Sequence, residues 1–475
     1  MLTLALLTIP ALVALLIWIL PQQSKSLALA GSFVNLILAI VALVALSYGK
    51  IDLLQFDSGN IGGLGMHFAL EINSTSALLI LLGSVILPFA IHLVSKNEER
   101  SNANFHALLM LMASAMLGAF LANDSLLFYI CYEVALIPIY FIILQWSKNE
   151  HRTQIVLKFF VYTLFGSLFM LMALLYVRQF AASFMINDMI EAGSKLSAYE
   201  QSLVFAGFFI AFAVKIPIFP FHTWQPKTYQ AAPTAGTVML AAVMLKMATY
   251  GLLRITMPMT PAATKEWAMW LCVVSIAYAS IVALNQRHFK LLIAYSSIAH
   301  VGMIALGILT AGTTAYNGAL IEMVSHGWLA LGMFYVCDML IHRYGHDDMH
   351  KMGGIRQNNG TFAFLFFAIV MASVALPTTS GFVGEFLLLN SVGSRNIVMA
   401  ILAGLTVVFG AVYMLRAFQT MMLGTSESAV HFTAMTNTEK WVLGIVVAGT
   451  LTLGVYPNLL LDVVQKGIEL YASQI

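Results

Sequence analysis

Glu133, Lys215, Lys246 and Glu385 each sit deep inside a long apolar run, where a bilayer should forbid a charge, and Lys158 makes a fifth. A charged side chain at mid-membrane depth costs at least roughly 2.5 kcal/mol unless it is paired, hydrated or neutralised. Burial disfavours the ionised form of both residue types, and a Glu–Lys pair opposes that effect. A partner that moves can therefore switch a lysine between holding and releasing a proton. Such a relay needs further ionisable groups along one file. His300 in LIAYSSIAHVG and His326 in MVSHG suit it, because imidazole titrates near neutrality. His222, next to Pro220, could relay a proton or could stabilise the adjoining backbone by hydrogen bonding. Lys158 begins KFFVYTLFGS near the end of its run, where its ammonium could instead snorkel to the surface. Structural ion pairing is the rival explanation for the set. Its size favours movement of ions or protons through the protein interior.

The elements that position these residues are membrane helices. Of 475 residues, 60% are hydrophobic and 9% charged, with a mean hydropathy of +0.88; soluble domains carry about 25% charged residues. The fold class is therefore all-α integral membrane. Apolar runs of the length needed to span a bilayer fall near 2–20, 27–47, 72–95, 105–122, 125–146, 154–177, 202–221, 233–256, 267–285, 291–310, 315–341, 361–390, 396–423 and 441–461. That predicts about fourteen spans in a single membrane domain over 1–475. The first run has no basic stretch before it and no small-residue cleavage site after it, so it reads as a retained helix rather than a signal peptide. A net charge of +2 shows no bias toward nucleic acid.

Basic residues in short loops set orientation. With the N-terminus outside, the inner loops hold Lys25, Lys96, Arg100, Lys148, Arg152, Lys227, Arg287, Lys290, Arg343, Lys351, Arg356 and Lys440. The outer side holds fewer: Lys50, Arg178, Lys195, Arg254, Lys265, Arg395 and Lys466. Both termini are thus expected to face out. Cys131, Cys272 and Cys337 stand alone in apolar runs without a CxxC pair, which argues against an iron–sulfur cluster or structural zinc in this chain. His342, His346 and His350, with Asp347 and Asp348, read as a solvated inner loop in preference to a metal site. GNIGGLG (59–65) lacks the spacing and the strand–helix context of a nucleotide-binding turn.

Two spans carry proline in their middles. AFAVKIPIFPFHTWQP contains Pro217 and Pro220, and ASVALPTTSGFVGEF contains Pro377 followed by Gly381 and Gly384. Proline removes a helix hydrogen bond and clashes with the preceding turn. Such breaks survive at membrane depth only where protein or water satisfies the freed backbone. Val214-x-x-Pro217 and Val374-x-x-Pro377 hint at an internal repeat. Paired broken helices in corresponding halves mark repeat-built transporters, with the working site near the breaks.

At these motifs the chain resembles the antiporter-like family of respiratory complex I, and within it the M-type proton-pumping branch of bacterial NADH:quinone oxidoreductases. The resemblance runs from about residue 70 to 460. FYICYEVALIPIY, AFAVKIPIFPFHTW, AAPTAG, LIAYSSIAH, MVSHG, LPTTSGFVGEF, AVYMLRAF and GVYP follow in the family's order. It implies that Glu133 is the fifth-helix glutamate, Lys215 the seventh-helix lysine and Lys246 the central eighth-helix lysine. His300 and His326 match the histidines leading outward, and Glu385 the twelfth-helix acid, where L- and N-type sister subunits usually carry lysine. It also implies two inverted five-helix repeats with a half-channel each, over 105–256 (broken near Pro217) and 267–423 (broken near Pro377), flanked by helices over 1–95 and 441–461. A bacterial inner (plasma) membrane location and neighbouring L-type and N-type chains follow from the same resemblance, as do lipids as partners. NADH, FMN, iron–sulfur clusters and quinone are then expected in other subunits, with no cofactor or metal in this chain.

The chain departs from the family at two places. The family usually reads Leu-Pro-Asp-Ala-His after the HTW, where this chain has Gln225-Pro226-Lys227-Thr228-Tyr229. Its Gln-Lys-Asp-Leu-Lys-Arg loop is here Gln286-Arg287-His288-Phe289-Lys290-Leu291. A subunit of a multi-subunit cation/proton antiporter or of a membrane-bound hydrogenase is the alternative reading within the same fold. A passive scaffold for a membrane complex is the alternative of a different class.

Overall fold

The computed structural model describes residues 1–61, 63, 65–96, 102–423 and 432–463. Gly62 and Leu64 of the glycine-rich turn, and Arg100 and Lys466 of the charge count, lie outside the described residues. Among those described, thirteen helices are long and apolar enough to cross a membrane. They are Leu2–Ile19, Pro21–Ser47, Ser74–Val94, Ala103–Leu121, Ser125–Trp146, Arg152–Arg178, Ala198–Lys215, Thr234–Met259, Glu266–Leu284, Phe289–Thr310, Thr313–Tyr344, Ile397–Met422 and Asn437–Val455. The stretch read from sequence as one span over 361–390 is two shorter helices, Gly360–Ser373 and Ser380–Arg395. Pro377 and the left-handed backbone of Ala375 and Thr378 between them explain why the helix cannot run through. The connection after the second span is not featureless either. Gln55–Ile61 and Met66–Glu71 form an antiparallel hairpin, with an irregularity in register between Asp57 and Asn60.

The described chain divides into two compact units. The first comprises Met1–Pro217 and Ala231–Ala268; the second comprises Ile218–Gln230 and Met269–Leu461. The chain thus changes unit on either side of the first helix break. In the first unit, Asp124 caps the helix that carries Glu133, accepting from the backbone N–H groups of Leu126 and Leu127 and from His67. Burial raises the pKa of this carboxyl, against the pull of those three donors. That helix runs only to Val134 and restarts at Leu136. Pro138 is the cause: it has no N–H to offer the Val134 carbonyl, and its ring crowds that turn. A capping box of Ser197 and Glu200 starts the helix that ends at Lys215. Gly166 lets this helix approach Arg152–Arg178 closely, since a Cβ there would lie 2.8 Å from Val214 Cγ2.

In the second unit, Thr313–Tyr344 packs along Ser380–Arg395. Arg343 joins Glu439, at the start of the last span, through two hydrogen bonds of 2.8 and 3.2 Å. The polar loop after Thr313–Tyr344 is tied down by its acids: Asp347 accepts from His288 Nδ1 at 2.8 Å and from the Lys290 backbone.

Candidate proton-transfer site

The first unit holds a lysine-centred group. Lys215, the last residue of its helix, is only 1% exposed. Its ammonium donates to the Tyr132 carbonyl at 2.8 Å and stands 3.3 Å from the centroid of the Tyr132 ring, so one residue offers it both an acceptor and a π face. The next residue in the chain is Glu133, half-buried beside the break at Ala135. The Lys215 charge acts on its carboxylate electrostatically. Glu133 Oε1 has no hydrogen-bond partner among the described residues.

Lys246 is fully buried in the middle of Thr234–Met259. That helix widens into π turns at Leu240–Met244 and Leu252–Thr256, one on each side of the lysine. Such turns are rare and cluster at functional sites, because they displace backbone groups from the regular ladder. Here the Lys246 ammonium donates to the Ala241 carbonyl, inside the first π turn, at 2.7 Å. The Ala241 carbonyl thereby gives this buried ammonium a backbone acceptor within the span.

The second unit holds imidazoles and carboxylates. His300 Nδ1 and Glu385 Oε1 are 2.7 Å apart. The rings of His300 and His326 have centroids 6.0 Å apart, and His326 Nε2 shares a 3.0 Å hydrogen bond with Ser297. The Tyr413 hydroxyl donates to Ser296 at 3.0 Å, and Ser325 and Ser380 pair at 2.8 Å, the latter directly beyond the second break. Ser296, Ser297, His300, His326 and Glu385 border a cavity of about 40 Å³, enough for a water molecule among polar partners. Glu322, absent from the set singled out by sequence, lines the same cavity and is 2% exposed. One ligand atom each of His300, Glu322 and Glu385 lies within 4.8 Å of the others, so these three could also hold a small cation. Glu322 stands four residues before His326, a helical spacing that the sequence already displayed.

The remaining residues of the predicted set sort differently. His222 is buried in the second unit against the rings of Phe219 and Tyr278, at 5.8 and 4.9 Å. Lys158 is exposed on the outer face of its helix, near the ring of Tyr162, and is not brought to the lysine group. Among the residues that depart from the family motif, Gln225 and Tyr229 are fully buried and Lys227 is exposed. Lys290, counted from sequence as a loop charge, is 5% exposed inside its helix.

A family model described as NADH:quinone oxidoreductase/Mrp antiporter, transmembrane, matches residues 122–449. The chain belongs to this family. NADH-quinone oxidoreductase subunit M of Rickettsia typhi is 33% identical over 477 residues, covering 97% of this chain and 96% of the relative. Subunit M of Escherichia coli K12 is 34% identical over 430 residues, covering 87% and 84%. Among solved structures, respiratory complex I from Thermus thermophilus contains a chain superposing with a TM-score of 0.89 at 27% identity, over 100% of this chain and 99% of that one. The Mrp complex of Dietzia shares the fold, with a TM-score of 0.84 at 18% identity over 97% and 95%. The chain is thus a multi-pass, antiporter-like membrane protein of the subunit M type.

Proposed function

We propose that this chain is a membrane-arm subunit of a proton-translocating NADH-quinone oxidoreductase. It conducts protons through paired half-channels along an axis of Glu133, Lys215, Lys246, His300, His326 and Glu385, driven by redox chemistry in other subunits. The observation that carries the reading is the burial of Lys215 and Lys246 inside membrane spans, each ammonium held by a backbone carbonyl. A carbonyl stabilises a lysine without fixing it in a permanent ion pair. The lysine can then release its proton once the opposing charge of Glu133 is withdrawn.

NADH, FMN, iron–sulfur clusters and quinone belong in this reading to other subunits of the complex, and this chain contributes no redox centre. Its neighbours are other membrane-arm subunits, the L-type and N-type antiporter-like chains above all, together with lipid. It resides in the bacterial inner membrane with both termini periplasmic, and its working parts are two inverted five-helix repeats over 105–256 and 267–423. The rival reading, a cation/proton antiporter or membrane-bound hydrogenase subunit, draws on a family model that spans both groups and on shared fold, whereas identity to subunit M extends over nearly the whole chain.

The deciding experiment purifies the membrane complex and reconstitutes it with Lys246→Met in this chain. Co-purification with an NADH-oxidising arm and loss of NADH-driven proton uptake are expected. Full proton translocation by that variant overturns the reading.

A further inference from the structure

The second unit contains a buried carboxylate that the axis above does not use. Glu322 lies in Thr313–Tyr344, one helical turn before His326, so both side chains leave the same face of that helix. It lines the cavity shared by His300, His326 and Glu385, and its carboxylate comes within 4.8 Å of the ligand atoms of His300 and Glu385. No lysine or arginine is among the residues lining that cavity. Two carboxylates brought this close in a buried cavity repel one another unless positive charge arrives with them. Among the described residues lining the cavity the two imidazoles are the groups that can bring that charge, as a proton shared among these four side chains.

The backbone makes deliberate room for Glu322. Ser380–Arg395 presents Gly384 to it, and a Cβ at that position would lie 2.5 Å from Glu322 Oε2 and 2.8 Å from its Cβ. Any larger residue would push the carboxylate away from Glu385, the next residue along. The glycine that follows the second break thus has a role beyond loosening the helix: it admits a second acid to the site.

We propose that Glu322 is a proton-carrying residue of this site, linking His326 to the Glu385–His300 pair. The inference rests on the proton-conducting reading of the chain. In one direction, the His326 imidazolium gives its proton to the Glu322 carboxylate, leaving a neutral ring and a carboxylic acid. The acid then gives the proton to the Glu385 carboxylate, which shares it with His300, and Glu322 returns to its anionic form. The reverse sequence uses the same bonds.

The test is made in the intact complex in membrane vesicles, with Glu322→Gln, Glu322→Asp and Glu385→Gln compared for content of this chain, NADH oxidation and protons translocated per NADH. Glu322→Gln preserves shape and removes the exchangeable acid. It is expected to leave the chain in the complex while slowing proton translocation by about tenfold or more, below what a positioned proton-transfer group commonly contributes. Glu322→Asp is expected to recover part of the rate, which a merely structural carboxylate would not require. Wild-type translocation by Glu322→Gln beside an impaired Glu385→Gln overturns the role of Glu322 and leaves the parent reading standing. Wild-type translocation by both variants overturns the parent reading and this inference with it. Loss of the chain from the complex in both Glu322 variants assigns the carboxylate a structural role and likewise overturns the proposal.

Discussion

The two units of the chain solve one problem with different chemistry. In the first, single cations are buried next to backbone carbonyls: Lys215 on Tyr132 and Lys246 on Ala241, with Glu133 nearby. In the second, rings and acids pair side chain to side chain, His300 with Glu385 and His326 with Ser297, around a small cavity. A carbonyl cannot take a proton, so in the proposed function the lysine group holds or releases its charge according to the nearby Glu133 carboxylate. A carboxylate facing an imidazole can take one, so in the same proposal the second group hands protons on locally. In that proposal one unit responds to electrostatics and the other relays.

This contrast can be broken by experiment. The largest expected effect is at Lys246. Replacing it with methionine should lower coupled proton translocation by about a hundredfold, read as proton uptake by the reconstituted complex. Arginine at 246 should fail almost as badly, since a guanidinium keeps its proton; full turnover with arginine would mean that a fixed positive charge is all the first unit needs. Next comes Glu133→Gln, expected to leave the complex assembled and to cost about tenfold in coupled rate, the equivalent of about 1.4 kcal/mol in the barrier. Normal pumping there would detach the first unit from electrostatic control.

Glu385→Gln should slow translocation by a similar or smaller factor, and Glu385→Lys should restore part of it, because sister subunits resemble that arrangement. A complete block by lysine would show that the second unit relies on the His300–Glu385 pair itself. Arg343→Ala serves as a structural contrast. Glu439 is 1% exposed and would lose its guanidinium partner while keeping the Thr436 N–H, costing about 3 kcal/mol. Thermal unfolding should register that loss, while complexes that survive should translocate protons normally. The smallest effect is expected at Lys158→Met, whose side chain is exposed and outside both groups; a clear drop in proton translocation would extend the first group to the chain's surface.

Much of this was legible in order along the chain. Periodic apolar length predicted the spans, and Pro217 and Pro377 marked both broken helices, because a missing N–H cannot be hidden in a bilayer. The break at Ala135 was readable from Pro138 by the same rule but was not drawn, since an apolar run masks a short kink. Glu322 escaped for another reason: attention to isolated charges passes over an acid whose meaning lies in its spacing from His326. The hairpin of Gln55–Ile61 and Met66–Glu71 shows no clear strand period in sequence, because its strands are short and the first is polar.

The sequence by itself determined the membrane class, the identity of the ionisable residues at depth, and the family. It could do so because composition and motif order are one-dimensional properties. Tertiary structure alone decided which of those residues face inward and what each one meets. An apolar run reveals how deep a residue lies but not which way it points, and so for Lys158 the sequence left an inward and a snorkelling position both open. Direction is fixed when segments far apart in the chain pack together. Packing turned Lys158 outward, set Lys215 on the Tyr132 ring, and brought Glu385 to His300 with Glu322 admitted by the bare backbone of Gly384.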